Sequence, residues 1–229
     1  MELLHNGFTL ELCPGAFPLS TDSMALAHFV RLNKKAKVLD LGSGCATLGL
    51  LLCAKDPLCQ VTGIELDPAA HDTALKNIAR NALDNRLSSI CADLNTLDLH
   101  FSAGNFDICV SNPPYFTGGP ASATVPLARR EDQCTMEQLM RSAAYALKYG
   151  GDFFLVHRPE RLAELISHAC RVQLEPKRLC LLRHRPDSPV SLVLVQCRKG
   201  GKPGLLWEEI CLHNADGTPS AQYQQIYHL

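Results

Sequence analysis

Apolar and polar positions fall into short blocks along this chain, and the period of the blocks changes in a regular order. Residues 36–41, Ala36-Lys37-Val38-Leu39-Asp40-Leu41, form an apolar run with an acid near its end. Gly42-Ser43-Gly44-Cys45-Ala46-Thr47 follows at once, and 48–54 then reads as a helix. This is the order strand, glycine turn, helix. Asp56-Pro57 closes that helix, and 60–65 is a second strand that again finishes on an acid, Glu65. Asp67 is placed as an N-cap, with Pro68 at the first position of a helix running through 69–82.

The rhythm continues. A third strand is expected over 87–91 with Asp93 just past it, and a fourth over 105–110 that runs straight into Ser111-Asn112-Pro113-Pro114-Tyr115-Phe116. A helix over 136–148, stopped by Gly150-Gly151, leads to a fifth strand over 152–157. Then come a helix over 159–169 and strands around 178–182 and 190–197, with Gly200-Gly201 and Asp216-Gly217 as late hairpin turns. Strands alternating with helices in this way predict an α/β fold, a doubly wound Rossmann-like sheet that is mostly parallel with an antiparallel C-terminal hairpin. The whole chain, 1–229, reads as a single domain: an N-terminal cap segment (1–35), a core (36–200) and C-terminal edge strands (201–229). The stretch 117–131, rich in Gly, Pro and Ala, is the longest part without periodicity, and long loops of this kind are usually functional.

Composition narrows the class. With 229 residues, 46% of them hydrophobic, the chain is long enough for one sizeable core. No basic leader precedes an apolar run at the N-terminus, and no window reaches the roughly 18 apolar residues of a membrane span. A soluble, cytoplasmic protein is the expectation. The eleven cysteines are odd in number, several lie in strand-like runs such as that around Cys109, and no Cys-x-x-Cys pair occurs. Buried reduced thiols are therefore expected, and no metal. The formal net charge is −1, yet between Val156 and Lys202 ten Lys/Arg face four acids. A basic C-terminal half of this kind suits phosphates on one face, or is simply solvated.

Candidate chemistry falls where an open parallel sheet binds ligands, at the carboxyl ends of its strands. Gly42 and Gly44 allow a tight turn and a close approach of backbone to ligand. Asp40 can accept from a ligand ammonium or organise the turn, Glu65 offers paired acceptors to a ribose diol, and Asp93 can meet the amino edge of an adenine. Thr47 stands where a dinucleotide fingerprint has its third glycine, which favours an adenosine without phosphates. The most specific feature is Asn112-Pro113-Pro114-Tyr115. Methylating an amide-like nitrogen requires its lone pair to be withdrawn from conjugation and aimed. The Asn112 side-chain oxygen and the Pro113 carbonyl, fixed by the prolines, can each take one N–H, and Tyr115 offers a face for a base to stack on.

These residues together resemble the class I S-adenosylmethionine-dependent amino-methyltransferases. Val38-Leu39-Asp40-Leu41-Gly42-Ser43-Gly44, Ile64-Glu65-Leu66-Asp67, Ala92-Asp93-Leu94 and Ser111-Asn112-Pro113-Pro114-Tyr115 look like that family's glycine motif, ribose acid, adenine acid and catalytic tetrad. Ser20-Thr21-Asp22-Ser23 before an apolar helix, and Ala128-Arg129-Arg130-Glu131, are similar to segments of the small bacterial group that includes the valine-tRNA adenine N6-methyltransferases. The resemblance runs from Thr9 to Tyr227 and departs at Cys45, where the group often has glycine or another small residue. It implies S-adenosylmethionine held by Thr21, Asp22, Asp40, Gly42, Ser43, Gly44, Glu65, Leu66, Asp93, Leu94 and Asn112. It further implies catalysis by Asn112 to Tyr115, substrate contacts from Tyr115, Phe116, Arg129 and Arg130, and a tRNA adenine as acceptor. A protein glutamine amide or another RNA base amine poses the same electronic problem. A cofactor-binding RNA module without turnover and a nicotinamide oxidoreductase are the remaining alternatives, the first opposed by intact Asn112 and Glu65, the second by the missing glycine and the tetrad.

Overall fold

The computed structural model describes residues 2–4, 7–16, 18–113 and 134–227. A two-stranded ribbon, β1 (Glu2–Leu3) and β2 (Thr9–Leu10), leads into helix α1 (Thr21–Phe29). The core then runs β3 (Lys37–Leu41), α2 (Thr47–Lys55), β4 (Gln60–Glu65), α3 (Pro68–Arg80), β5 (Leu87–Cys91) and β6 (Phe106–Ser111). It continues with α4 (Met136–Ala146), β7 (Leu147–His157), α5 (Leu162–Arg171), β8 (Leu174–Arg183), β9 (Val190–Lys199), β10 (Leu206–Cys211) and α6 (Ala221–Tyr227). Eight strands form one sheet in the order β10-β8-β9-β7-β6-β3-β4-β5. Of the described strands in that sheet, only β9 runs against its neighbours; every other pairing among them is parallel. The doubly wound, Rossmann-like α/β fold expected from the pattern is therefore present, with β8 and β9 as its antiparallel hairpin.

Strand alternation explains how both faces are filled, because successive side chains of a strand point to opposite sides. Val38, Val61, Ile108, Val110 and Phe154 join a core with Leu26, Leu50 and Ile78 of α1, α2 and α3, and Ile226 of α6. Leu39, Leu41, Ile64, Cys109 and Phe153 join a second core with Leu139, Met140 and Ala143 of α4 and Leu165 of α5. Helix starts follow local chemistry: Asp67 caps α3 by accepting from the Ala69 N–H, and Thr135 and Gln138 form a reciprocal capping box on α4.

Several boundaries differ from the sequence reading. Helix α4 ends at Ala146, and Gly150-Gly151 sits inside β7. There the register to β6 jumps from Phe106↔Leu147 to Ile108↔Asp152, and Gly150 adopts φ 81° in the resulting bulge. Gly200-Gly201 does not turn a hairpin, because β10 passes over to the far side of β8 and pairs with it in parallel. The segment 201–229 is therefore one edge strand and a helix rather than a set of edge strands. Asp216-Gly217 does make a tight turn, closed by the bridge between His213 and Pro219. The 159–169 helix begins as a 3-10 turn, Pro159–Arg161, before α5. All eleven cysteines are unbonded and seven are buried. No described helix is long and apolar enough to cross a membrane, and no described cluster of His, Cys, Asp and Glu is arranged to hold a metal ion.

Candidate active site

The sheet register sets the site. Asp40 pairs with Gly63 on one side and Val110 on the other, so two residues further on Gly42, Glu65 and Asn112 stand at one level on three adjacent strands. Cys91 continues that level beyond Glu65, and Asp93 lies two residues past it. With neighbouring strands about 4.8 Å apart, Asn112 and Glu65 are separated by roughly 10 Å across β3, a span matched to a nucleoside. Connections diverge here as well: β3 is followed by α2 and β4 on one side, while β6 lies on the other, which makes the β3/β6 crevice the switch point of the sheet. Ser111 Oγ donates to the Leu41 carbonyl at 2.8 Å, locking the two strand ends together.

Asp40 is 1% exposed, and neither carboxylate oxygen has a hydrogen-bond partner among the described residues. Burial, with a further push from the neighbouring Glu65 carboxylate, raises its pKa to about 8. Gly42 and Gly44 have φ of 74° and 54°, and a Cβ on either would point into open space. Their backbone is thus bare on the side where a ligand would lie. Glu65 accepts from the Gly44 N–H at 2.7 Å through one oxygen and from the Asp67 N–H at 2.8 Å through the other. Each oxygen retains a lone pair for a hydroxyl of a diol. Asp93 uses one oxygen to cap the 3-10 helix Leu94–Leu99, accepting from both N–H groups of Asn95 at 2.8 Å. Leu66 is exposed and offers an apolar side chain at this level. Leu94 is half-buried, and its carbonyl accepts from Ser142.

Other predicted residues are placed differently. Ser43 is buried, with its hydroxyl directed at Gly63, so it packs on the sheet. Thr21 shares a hydrogen bond of 2.7 Å with the Tyr227 hydroxyl. Asp22 is half-buried in the first turn of α1; burial raises its pKa, opposed by the charge of Arg158. Asn112 donates through Nδ2 to Ser23 Oγ at 3.0 Å, and Pro113 is buried. Pro114, Tyr115, Phe116, Arg129 and Arg130, with the stretch 117–131, lie outside the described residues.

Sequence reasoning missed three supports. Ser23, inside the quoted Ser20–Ser23 stretch, reaches Asn112. Asn77 on α3 and Asn81 at its C-cap bond both N–H and C=O of Glu11 and Thr9, respectively, in the manner of a paired strand, and Asn77 also donates to the Cys45 carbonyl in the glycine loop. The Cys45 thiol faces Cys13 at 3.6 Å, so this departure from the family pattern is turned inward. The basic C-terminal half does not form one face. Arg158, Arg161, Arg183 and Arg185 follow or end strands at the ligand edge, whereas Arg171, Lys177, Arg198, Lys199 and Lys202 lie at the opposite edge.

The residues present fit S-adenosylmethionine: an orphaned buried carboxyl suits an ammonium, bare glycine backbone admits a close ligand, and Glu65 suits a ribose. Residues 18–166 match the methyltransferase small domain family. A protein of Photobacterium profundum named tRNA1(Val) (adenine(37)-N6)-methyltransferase is 29% identical over 90% of this chain and 87% of its own. One of the same name from Porphyromonas gingivalis is 29% identical over 96% of this chain and 90% of its own. In fold, the chain is similar to a crystal structure described as a predicted O-methyltransferase from Agrobacterium tumefaciens, with a TM-score of 0.76 and 22% identity, covering 90% of this chain and 95% of that one. A family match over more than half the sequence, on a sheet whose switch point carries these acids and glycines, places the chain in the methyltransferase small domain family, as an S-adenosylmethionine-dependent methyltransferase.

Proposed function

We propose that this enzyme methylates the exocyclic N6 of an adenine in tRNA, near the anticodon. The observation that carries the reading is the position of Asn112, level with Gly42 and Glu65 across the switch point, with its Nδ2 bonded to Ser23. Among conjugated amines, the names of the relatives support a tRNA adenine as the acceptor. When bound, S-adenosylmethionine supplies a methyl group made electrophilic by its sulfonium. Asp40, Gly42, Gly44, Glu65, Leu66, Asp93 and Leu94 hold and orient it. Asn112 Oδ1 and the Pro113 carbonyl accept the two N–H groups of the target amine, which localises the nitrogen lone pair and aims it. The nitrogen loses one proton to solvent after the methyl has moved, so no residue need act as a base, and rate comes from orientation and electrostatics. Tyr115 and Phe116 serve as stacking faces for a base taken out of its helix, and Arg129 and Arg130 as phosphate contacts. Such a substrate places the enzyme in the cytoplasm.

Incubation with methyl-tritiated S-adenosylmethionine, total tRNA and a protein extract tests this. Nuclease-sensitive label, recovered as N6-methyladenosine by mass spectrometry of nucleosides, is the expected result. Label entering protein as methylglutamine would replace the tRNA reading with the amide one, and no transfer to either would leave a cofactor-binding module.

A further inference from the structure

An asparagine amide is nearly symmetric in shape, yet its two ends have opposite chemistry. Oδ1 toward an NH2 group accepts from it; Nδ2 in the same place repels it. A catalytic asparagine therefore needs a neighbour that holds its amide plane in place. In this fold β6 cannot do so alone, because Asn112 lies one residue beyond the strand, in a half-buried position. The partner comes from 89 residues earlier in the chain: Ser23, 7% exposed in the first turn of α1, accepts from Asn112 Nδ2 at 3.0 Å. Ser23 is itself held from both ends of its helix. Thr21 is bonded to Tyr227 of α6 at 2.7 Å, and Lys55 Nζ donates to the carbonyls of Ala27, His28 and Val30 at 2.7 to 2.8 Å.

We infer that Ser23 is a positioning residue: it holds the Asn112 amide with Nδ2 turned inward and Oδ1 turned to the acceptor amine. The inference rests on the reading of Asn112 as the group that receives that amine. It assigns to the Ser20–Ser23 stretch a positioning duty besides any cofactor contact, and makes α1, with α6 behind it, a support of the amine-binding apparatus. Loss of the hydroxyl leaves the amide free to rotate, so the acceptor is correctly presented for only part of the time. That penalty falls on turnover and leaves cofactor affinity alone.

The test compares wild type, Ser23→Ala, Ser23→Thr and Ser23→Cys. In Ser23→Ala, kcat is expected to fall about tenfold, the rate equivalent of one ordinary hydrogen bond, with the S-adenosylmethionine Kd unchanged. Ser23→Thr, which keeps the hydroxyl, restores most of the rate. Should Ser23→Ala not fold, Ser23→Cys, similar in volume but a weak acceptor, is expected to show the same loss. A substrate-free readout separates this inference from the proposed acceptor. The side-chain NH2 protons of Asn112, identified in a nitrogen-15 spectrum by their absence in Asn112→Ala, are expected to exchange slowly with solvent in wild type and faster in Ser23→Ala. If wild type methylates no RNA, the proposed function fails while the exchange comparison still decides whether Ser23 holds the amide. Equal exchange in the two proteins, or unchanged kcat in both Ser23→Ala and Ser23→Cys of an active enzyme, overturns the inference.

Discussion

Asp40 carries the sharpest consequence of any single side chain. Its carboxyl is buried without a partner among the described residues, so the folded protein keeps it protonated up to a pKa of about 8, where an exposed aspartate ionises near 3.8. Between those values the native state binds a proton that the unfolded chain has lost. The contribution to stability is thus complete at the acid end and is lost as pH rises toward and through 8. Thermal unfolding of the cofactor-free protein from pH 5 to 8.5 is expected to show this decline, and Asp40→Asn, which mimics the neutral acid, to flatten it. A cationic cofactor reverses the preference and drives the proton off. Calorimetric titration with S-adenosylmethionine at pH 7, repeated in two buffers of different ionisation enthalpy, is expected to report release of about one proton, absent in Asp40→Asn. Asn112 behaves in the opposite way: it is uncharged and belongs to the acceptor side. Asn112→Ala is expected to lower kcat at least a hundredfold with cofactor Kd within a factor of about three. A wild-type rate in that variant would mean the amine is held elsewhere. Both residues were legible in the sequence because an apolar strand that ends on a polar residue announces its carboxyl end. Ser23 was visible as part of a motif, but its bond to Asn112 was not, since nothing local records a contact across 89 positions.

Helix α3 shows what an element can conceal. Its sequence declares an N-cap, a proline start and an apolar stripe, and these set its place on the sheet. Nothing in the sequence singles out Asn77 and Asn81, yet Asn77 is fully buried and the two amides serve as a strand partner for residues 9–11. Through its bond to the Cys45 carbonyl, Asn77 also ties this N-terminal segment to the glycine loop. Removing it leaves the Glu11 N–H and two carbonyls short of a partner. Asn77→Ala is therefore expected to destabilise the fold by about 2–3 kcal/mol in urea unfolding. It should also weaken S-adenosylmethionine binding severalfold, because the loop that must approach the ligand loses an anchor. A variant that loses stability but keeps its affinity would show that the loop is held by its own turn. The bulge in β7 escaped the sequence for a related reason: Gly150-Gly151 marks a change of direction, and whether that ends a helix or kinks a strand depends on the neighbouring strand β6.

Over the whole molecule, alternating strands and helices made the parallel sheet legible, while the path of the last strand was not. β10 skips over β8, a choice set by which sheet edge remains open rather than by any residue in the six-residue connection. The same topology redistributes charge. Strands that run up and back send the arginines of one basic stretch to opposite edges, so a count along the sequence overstates the patch that a single ligand can meet. A substrate presenting its base at Asn112 lies along the carboxyl edge. There Arg185 stands exposed in the β8–β9 turn, whereas Lys202 is exposed at the far edge, after β9. If RNA is the acceptor, Arg185→Gln is expected to raise its KM severalfold and to reduce the slope of log affinity against log salt by about 1, since each phosphate contact releases its condensed counterions. Lys202→Gln, equal in charge change, is expected to alter neither. Measuring both variants from 50 to 200 mM salt separates a local contact from general attraction. Equal losses in the two would show that the molecule draws RNA by overall field, and losses in neither would leave phosphate recognition to residues 114–133.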